Sequence, residues 1–230
     1  MREKVSDILN ERRVEGLCEV VERLASLVSE DLEAWSAELN ALNKFYSNFK
    51  NVDEVTLLCT DTLAGQVAYA TVFKALGRGV KTPLGELKPS VKAYVVKELG
   101  KNSPHSFYVG LLSLTCCLNK EIAGKNKYYL NLTGGFKPES AYATAIALTK
   151  VPSVEAIYYV HETFRDLVLL PLIPLSTGGL PLMNLLKEPY KDYFTNILGS
   201  EEEVKGFVDK LEKCLKGSFV ECKKPLEIMC

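Results

Sequence analysis

With 230 residues, 47% of them hydrophobic and 25% charged, the chain can build a substantial core and is not a disordered polypeptide. A formal net charge of −1 excludes nucleic-acid binding by bulk charge, so an anionic ligand has to be held by a local site. No apolar run is long enough to span a bilayer and Met1 opens a charged segment, which predicts a cytoplasmic protein with no membrane partner. The seven cysteines form no CxxC pair and there are only two histidines, so reduced thiols, no metal site and no cofactor are expected.

Apolar residues at Val5, Ile8, Leu9, Leu17, Val20, Val21 and Leu24 have amphipathic helical spacing over Met1 to Leu27. The pattern continues over Ala34 to Phe45, with Trp35 expected as a core or subunit-contact anchor, and breaks over Ser47 to Asp53. Val55 to Cys59 is the first clear strand, followed by Thr60-Asp61-Thr62 and a helix over Ala64 to Leu76. Asp61 or Thr62 can cap that helix, and Gly65 lets another backbone or a ligand come close. Capping by itself accounts for these oxygens; ligand binding by Thr60, Asp61 and Thr62 is the further expectation. Val80 to Leu87 carries Pro83 and reads as an edge strand or loop, and helices are predicted over Ser90 to Leu99 and Val109 to Ile122.

Tyr128 to Thr149 reads as a strand, a glycine turn and a helix in one run. Gly134 and Gly135 permit a sharp turn, and Pro138 suits a first helical turn, where its missing N–H would be unpaired anyway. The free N–H groups of a helix start favour an anion, and Lys137 would add an ammonium there, with Asn131 and Thr133 at the strand's carboxyl end. A plain tight turn with a solvated Lys137 explains the same residues. Ala156 to Val160 and Leu167 to Leu172 are two strands of a hairpin whose connection holds His161, Glu162 and Arg165, either solvated or reaching a ligand. The alternation predicts an α/β fold, a Rossmann-like mostly parallel sheet with helices on both faces, a C-terminal antiparallel strand pair and a helical tail. Residues 1–175 form the expected domain and 176–230 a helical extension whose apolar faces need a partner.

The segments SAEL at Ser36 to Leu39, CTDTLAG at Cys59 to Gly65, NLTGGFKPESA at Asn131 to Ala141 and YYVHETFRDLVLLPLIPL at Tyr158 to Leu175 are similar to the CRISPR-associated Rossmann-fold (CARF) family. They most resemble its small stand-alone members, which include ring nucleases that cleave cyclic oligoadenylates made by type III CRISPR systems. The resemblance implies a homodimer with one symmetric pocket for cyclic tetra-adenylate and no DNA partner. It implies metal-independent cleavage by a ribose 2′-hydroxyl, leaving a 2′,3′-cyclic phosphate and ending antiviral signalling. It places Lys137 as the catalytic lysine beside backbone N–H groups of Gly135 and Phe136; Asn131, Thr133, Gly134, Thr60, Asp61, Thr62, His161, Glu162 and Arg165 are the residues expected against the ligand from their places in the chain. Family members open with a strand and a Thr/Ser-rich turn, whereas this chain opens in a helical segment, so that strand is expected upstream or replaced. A ligand sensor without catalysis is the alternative. An effector with a nuclease or DNA-binding C-terminal part is disfavoured, because 180–230 has no histidine and no evident basic helix. A dinucleotide oxidoreductase is disfavoured because no GxGxxG follows a strand.

Overall fold

The computed structural model describes residues 16–49, 52–123, 127–134, 137–161, 163, 165–173, 186–187, 190–218 and 222, with residue 137 described by its backbone. The helix expected over Met1 to Leu27 is therefore described only from α1, Leu17–Glu30; residues 1–15 lie outside the described residues. Leu17, Val21, Ala25 and Val28 recur at three- or four-residue intervals on α1 and are buried. The first two meet Val67 and Ala70 of α4, Leu63–Arg78. Glu22 pairs with Lys74 and Arg78 across the same contact, and the Lys74 hydrogen bond holds its carboxyl below the usual carboxylate range.

The single helix expected over Ala34 to Phe45 is two: α2, Leu32–Trp35, and α3, Ala37–Phe49. Ser36 is extended between them, with φ −145°, and its hydroxyl accepts the Leu39 N–H at 3.2 Å. A side-chain acceptor competing for the backbone explains the break. Trp35 is 49% exposed, which corrects its reading as a core anchor. The apolar face of α3 carries Leu39, Leu42 and Phe45, and Phe45 stacks on Tyr158 at 4.4 Å and lies 4.9 Å from Tyr129. Burying such a ring contributes about 2–3 kcal/mol.

β1, Glu54–Thr60, pairs in parallel with β4, Ser90–Val96, from Glu54↔Ser90 to Thr60↔Val96. This corrects the helix expected over Ser90 to Leu99. Val91, Ala93 and Val95 alternate with Lys92, Tyr94 and Val96, a period of two in a Val-rich run, and partners on both faces override the weaker helical spacing. Between them, β2, Val80–Thr82, and β3, Gly85–Leu87, form a small antiparallel hairpin with Pro83 in its turn.

β5, Tyr128–Asn131, pairs in parallel with β6, Val154–Val160, and β6 pairs antiparallel with β7, Leu167–Leu170. The ordering is thus β4-β1 in one sheet and β5-β6-β7 in another, and no strand among the described residues joins β1 to β5. Packing and side-chain bonds bridge the two sheets. On one face α3 reaches both, meeting Val55 and Val91 through Leu39 and Leu42, and Tyr129 and Tyr158 through Phe45. On the other lie α5, Pro104–Ile122, and α6, Lys137–Leu148, over Val96, Leu58, Leu130, Val154 and Ile157. At one end the buried Glu121 of α5 accepts from Thr56 at 3.1 Å and from Tyr94, while the Tyr128 hydroxyl bonds with Thr56. A buried carboxylate is tolerated because it is so paired.

The C-terminal helices are α7, Tyr190–Leu198, and α8, Glu201–Leu215. Their apolar faces pack on α5: Leu211 and Cys214 against Leu112 and Cys116, and Phe194, Leu198 and Val204 with Tyr108. Cys116 is bonded to Cys214 and Cys117 to Cys222, which corrects the expectation of reduced thiols; Cys59 is free and buried. Partners 98 and 105 residues apart leave no local spacing signal. No helix among the described residues is long and apolar enough to cross a membrane.

Candidate functional site

Strand direction fixes where the functional residues gather. α3 begins beside the end of β5, where Asn131 donates its amide to the Glu38 carbonyl at 3.0 Å, and it passes Tyr129 at Phe45 before the chain turns into β1. A helix running down β5 returns through β1 in the direction of β5, so the carboxyl ends of β1, β4, β5 and β6 lie at one rim. In open α/β folds ligands bind at such a rim. Four helices start there: α3 after Ser36, α4 after Thr62, α5 after Ser103, and α6 after the glycine turn. The first three have hydroxyl caps, accepting from Leu39, Gly65 and Ser106 at 3.2, 3.0 and 3.0 Å.

The expected residues sort into two clusters. In the first, Thr60 and Thr62 share a hydroxyl hydrogen bond of 2.9 Å, and Thr62, not Asp61, caps α4. Asp61 instead ties β1 to the end of β4: its N–H donates to the Leu99 carbonyl at 3.0 Å, its carboxylate accepts from Glu98 N–H at 3.3 Å, and Lys101 lies 3.6 Å away. Glu98 and Lys101 pair at 2.6 Å. That bond lowers the Glu98 carboxyl, helped by Ser106, and raises the Lys101 ammonium. Glu98 holds a left-handed backbone, φ 65°, a conformation that side chains resist and that is enriched at binding loops.

Gly65 is explained by packing in this cluster. A Cβ there would overlap the Thr60 side-chain hydroxyl, and even with that hydroxyl turned aside it would lie 2.9 Å from the Thr60 carbonyl oxygen and 3.1 Å from its nitrogen. Gly65→Ala is expected to destabilise the fold by about 2–3 kcal/mol, read as a lower denaturant midpoint at unchanged slope.

In the second cluster, Asn131 and Thr133 hold the turn after β5. Asn131 accepts the Thr133 N–H at 3.0 Å while donating to Glu38, and the Thr133 hydroxyl accepts the Val160 N–H at 3.1 Å, which ties this turn to the end of β6. His161 follows; its N–H donates to the Asp166 carbonyl at 3.0 Å, and its Nδ1 accepts from Thr163 at 3.3 Å. Arg165 donates its N–H to the His161 carbonyl at 2.8 Å, in a left-handed conformation with φ 51° and an exposed side chain. Gly135, Phe136, Glu162 and the Lys137 side chain lie outside the described residues; the Lys137 backbone opens α6.

Residues not singled out as ligand contacts join this cluster. Glu38, in the first turn of α3, lies directly against Gly134: a Cβ at Gly134 would be 2.7 Å from its Cδ. Ser36 donates to the Glu38 carboxylate at 3.2 Å. The sequence signal for the pair was the Ser-x-Glu spacing at a helix start. No group of three or more His, Cys, Asp or Glu among the described residues could hold a metal ion. A family model described as CRISPR-associated protein (Cas_APE2256) matches residues 33–173, more than half of the chain, ending just after β7 and leaving α7 and α8 outside the match.

Proposed function

The chain belongs to this family of CRISPR-associated proteins, and on that premise we propose that it is a ring nuclease that binds cyclic tetra-adenylate and opens it without a metal. The observation that carries the reading is the gathering of four helix starts at one rim, since the N–H groups that the hydroxyl caps leave over favour phosphate oxygens. Two such rims related by a two-fold axis suit a cyclic ligand of four phosphates, so the active form is a homodimer. The ligand cradle then belongs to a domain spanning 1–175, with 176–230 as a helical extension, a division that the family match over residues 33–173 supports.

In this reading Gly134, Gly135 and Phe136 present backbone N–H groups to a phosphate, and Lys137 stabilises the charge that grows on the phosphorane. Thr60, Asp61 and Thr62 border the adenosines from the other cluster, with His161, Glu162 and Arg165 at the edge of the cradle. The ribose 2′-hydroxyl attacks the adjacent phosphorus, leaving a 2′,3′-cyclic phosphate and a 5′-hydroxyl, and the signal that sustains antiviral defence is lost. Titration calorimetry with cyclic tetra-adenylate tests the architecture: one ring per two chains is expected, and one ring per chain would rule out a shared pocket.

A sensor that holds the ring without cutting it is the second reading. It is favoured by the separation of β1 from β5 at the rim, which leaves part of the cradle without a strand among the described residues.

A further inference from the structure

We infer that Glu38 is the general base of the ring-opening step, accepting the proton of the attacking ribose 2′-hydroxyl. The inference rests on the ring-nuclease reading and deepens it. A carboxylate beside a phosphate-binding turn opposes a polyanion unless it takes a hydrogen bond from it, and the 2′-hydroxyl is the sugar donor of a 3′–5′ linked ring of ribonucleotides. Glu38 is a carboxylate in contact with this turn: it lies over Gly134, whose missing side chain makes room for it. The placement is held from three sides. Asn131 fixes the Glu38 backbone at 3.0 Å, Ser36 donates to the carboxylate at 3.2 Å, and the first turn of α3 sets the side chain's origin. Glu38 is exposed, so a ligand can reach it.

The step balances. Glu38 takes the 2′-hydroxyl proton, the O2′–P bond forms as the P–O5′ bond breaks, and solvent water protonates the departing 5′ oxygen. The carboxylic acid then returns its proton to water, leaving a 2′,3′-cyclic phosphate and no change in oxidation state.

The test measures cleavage of cyclic tetra-adenylate in EDTA across pH for the wild-type dimer and for Glu38→Gln and Glu38→Asp, with binding measured in parallel. Glu38→Gln is expected to slow turnover about 100-fold or more, to abolish the acid limb of the rate profile, and to bind the ring as tightly or more tightly. Glu38→Asp is expected to recover part of the rate with the limb restored. A Glu38→Gln enzyme with wild-type turnover and pH profile overturns the inference while leaving the ring-nuclease reading intact. Loss of binding in proportion to loss of rate would make Glu38 a binding residue and overturn it too. A wild-type protein that binds but does not cut, or does not bind, removes the reading and the inference with it.

Discussion

Lys137→Ala is expected to slow opening of cyclic tetra-adenylate by about 100- to 1,000-fold while weakening ring binding less than about tenfold. The asymmetry follows from where charge develops. A bound phosphodiester carries one negative charge, whereas the phosphorane formed by 2′-hydroxyl attack carries more, and in the proposed pose its oxygens face the start of α6. On the proposed mechanism, Lys137 would meet the added charge in the transition state and only the resident charge in the ground state. Single-turnover cleavage with a parallel binding titration reads both quantities. Equal losses would make Lys137 a uniform binding residue, and unchanged turnover would remove it from the mechanism.

The second large effect concerns stability. Cys116 and Cys117 are neighbours on α5, and each is bonded to the C-terminal part of the chain, at Cys214 on α8 and at Cys222. Closing a loop between residues 98 apart removes about 4–5 kcal/mol of conformational freedom from the unfolded chain, and the second bond, spanning nearly the same loop, adds less. Reduction, or Cys116→Ala with Cys117→Ala, is therefore expected to lower the melting temperature by about 10 °C, with α7 and α8 becoming the first segments to lose amide protection. Identical melting curves with and without reductant, with the thiols fully alkylated in the reduced sample, would contradict this. Cys59 does not enter the comparison: it is buried, and burial pushes its thiol up to about 11.

Much of the fold was legible because each strand–turn–helix unit carried its own local signals. VTLLC followed by Thr62 and Ala64 to Leu76 predicted β1 and α4, and YYLN followed by the glycine turn and Pro138 predicted β5 and α6, because alternation, capping and φ constraints act within a few residues. The hairpin of β6 and β7 was legible for the same reason. β4 was not. Its identity depends on pairing with β1, from which it is separated by α4 and a hairpin, and a Val-rich run with interspersed lysines fits a helix nearly as well until both faces are covered. The disulfides escaped because their partners are distant in sequence and meet only after α8 packs on α5.

At the site, the residue types at strand ends were legible but their roles were not. Asp61 was a natural cap candidate, yet Thr62 took the cap and Asp61 turned to Glu98 and Lys101, a choice set by how β4 ends. Asn131 and Thr133 stand at the expected strand end, and their polar groups hold the turn by bonding α3 and β6. Glu38 went unassigned because it lies 93 residues before Asn131, and only the run of α3 past β5 brings them together.

The measurement that bears most directly on the whole account is incubation of the purified chain with cyclic tetra-adenylate in EDTA, with ring, linear tetranucleotide and dinucleotide resolved by chromatography. Linear products ending in a 2′,3′-cyclic phosphate are the expected result. An intact ring after prolonged incubation, with no complex detected in the parallel titration, would contradict it.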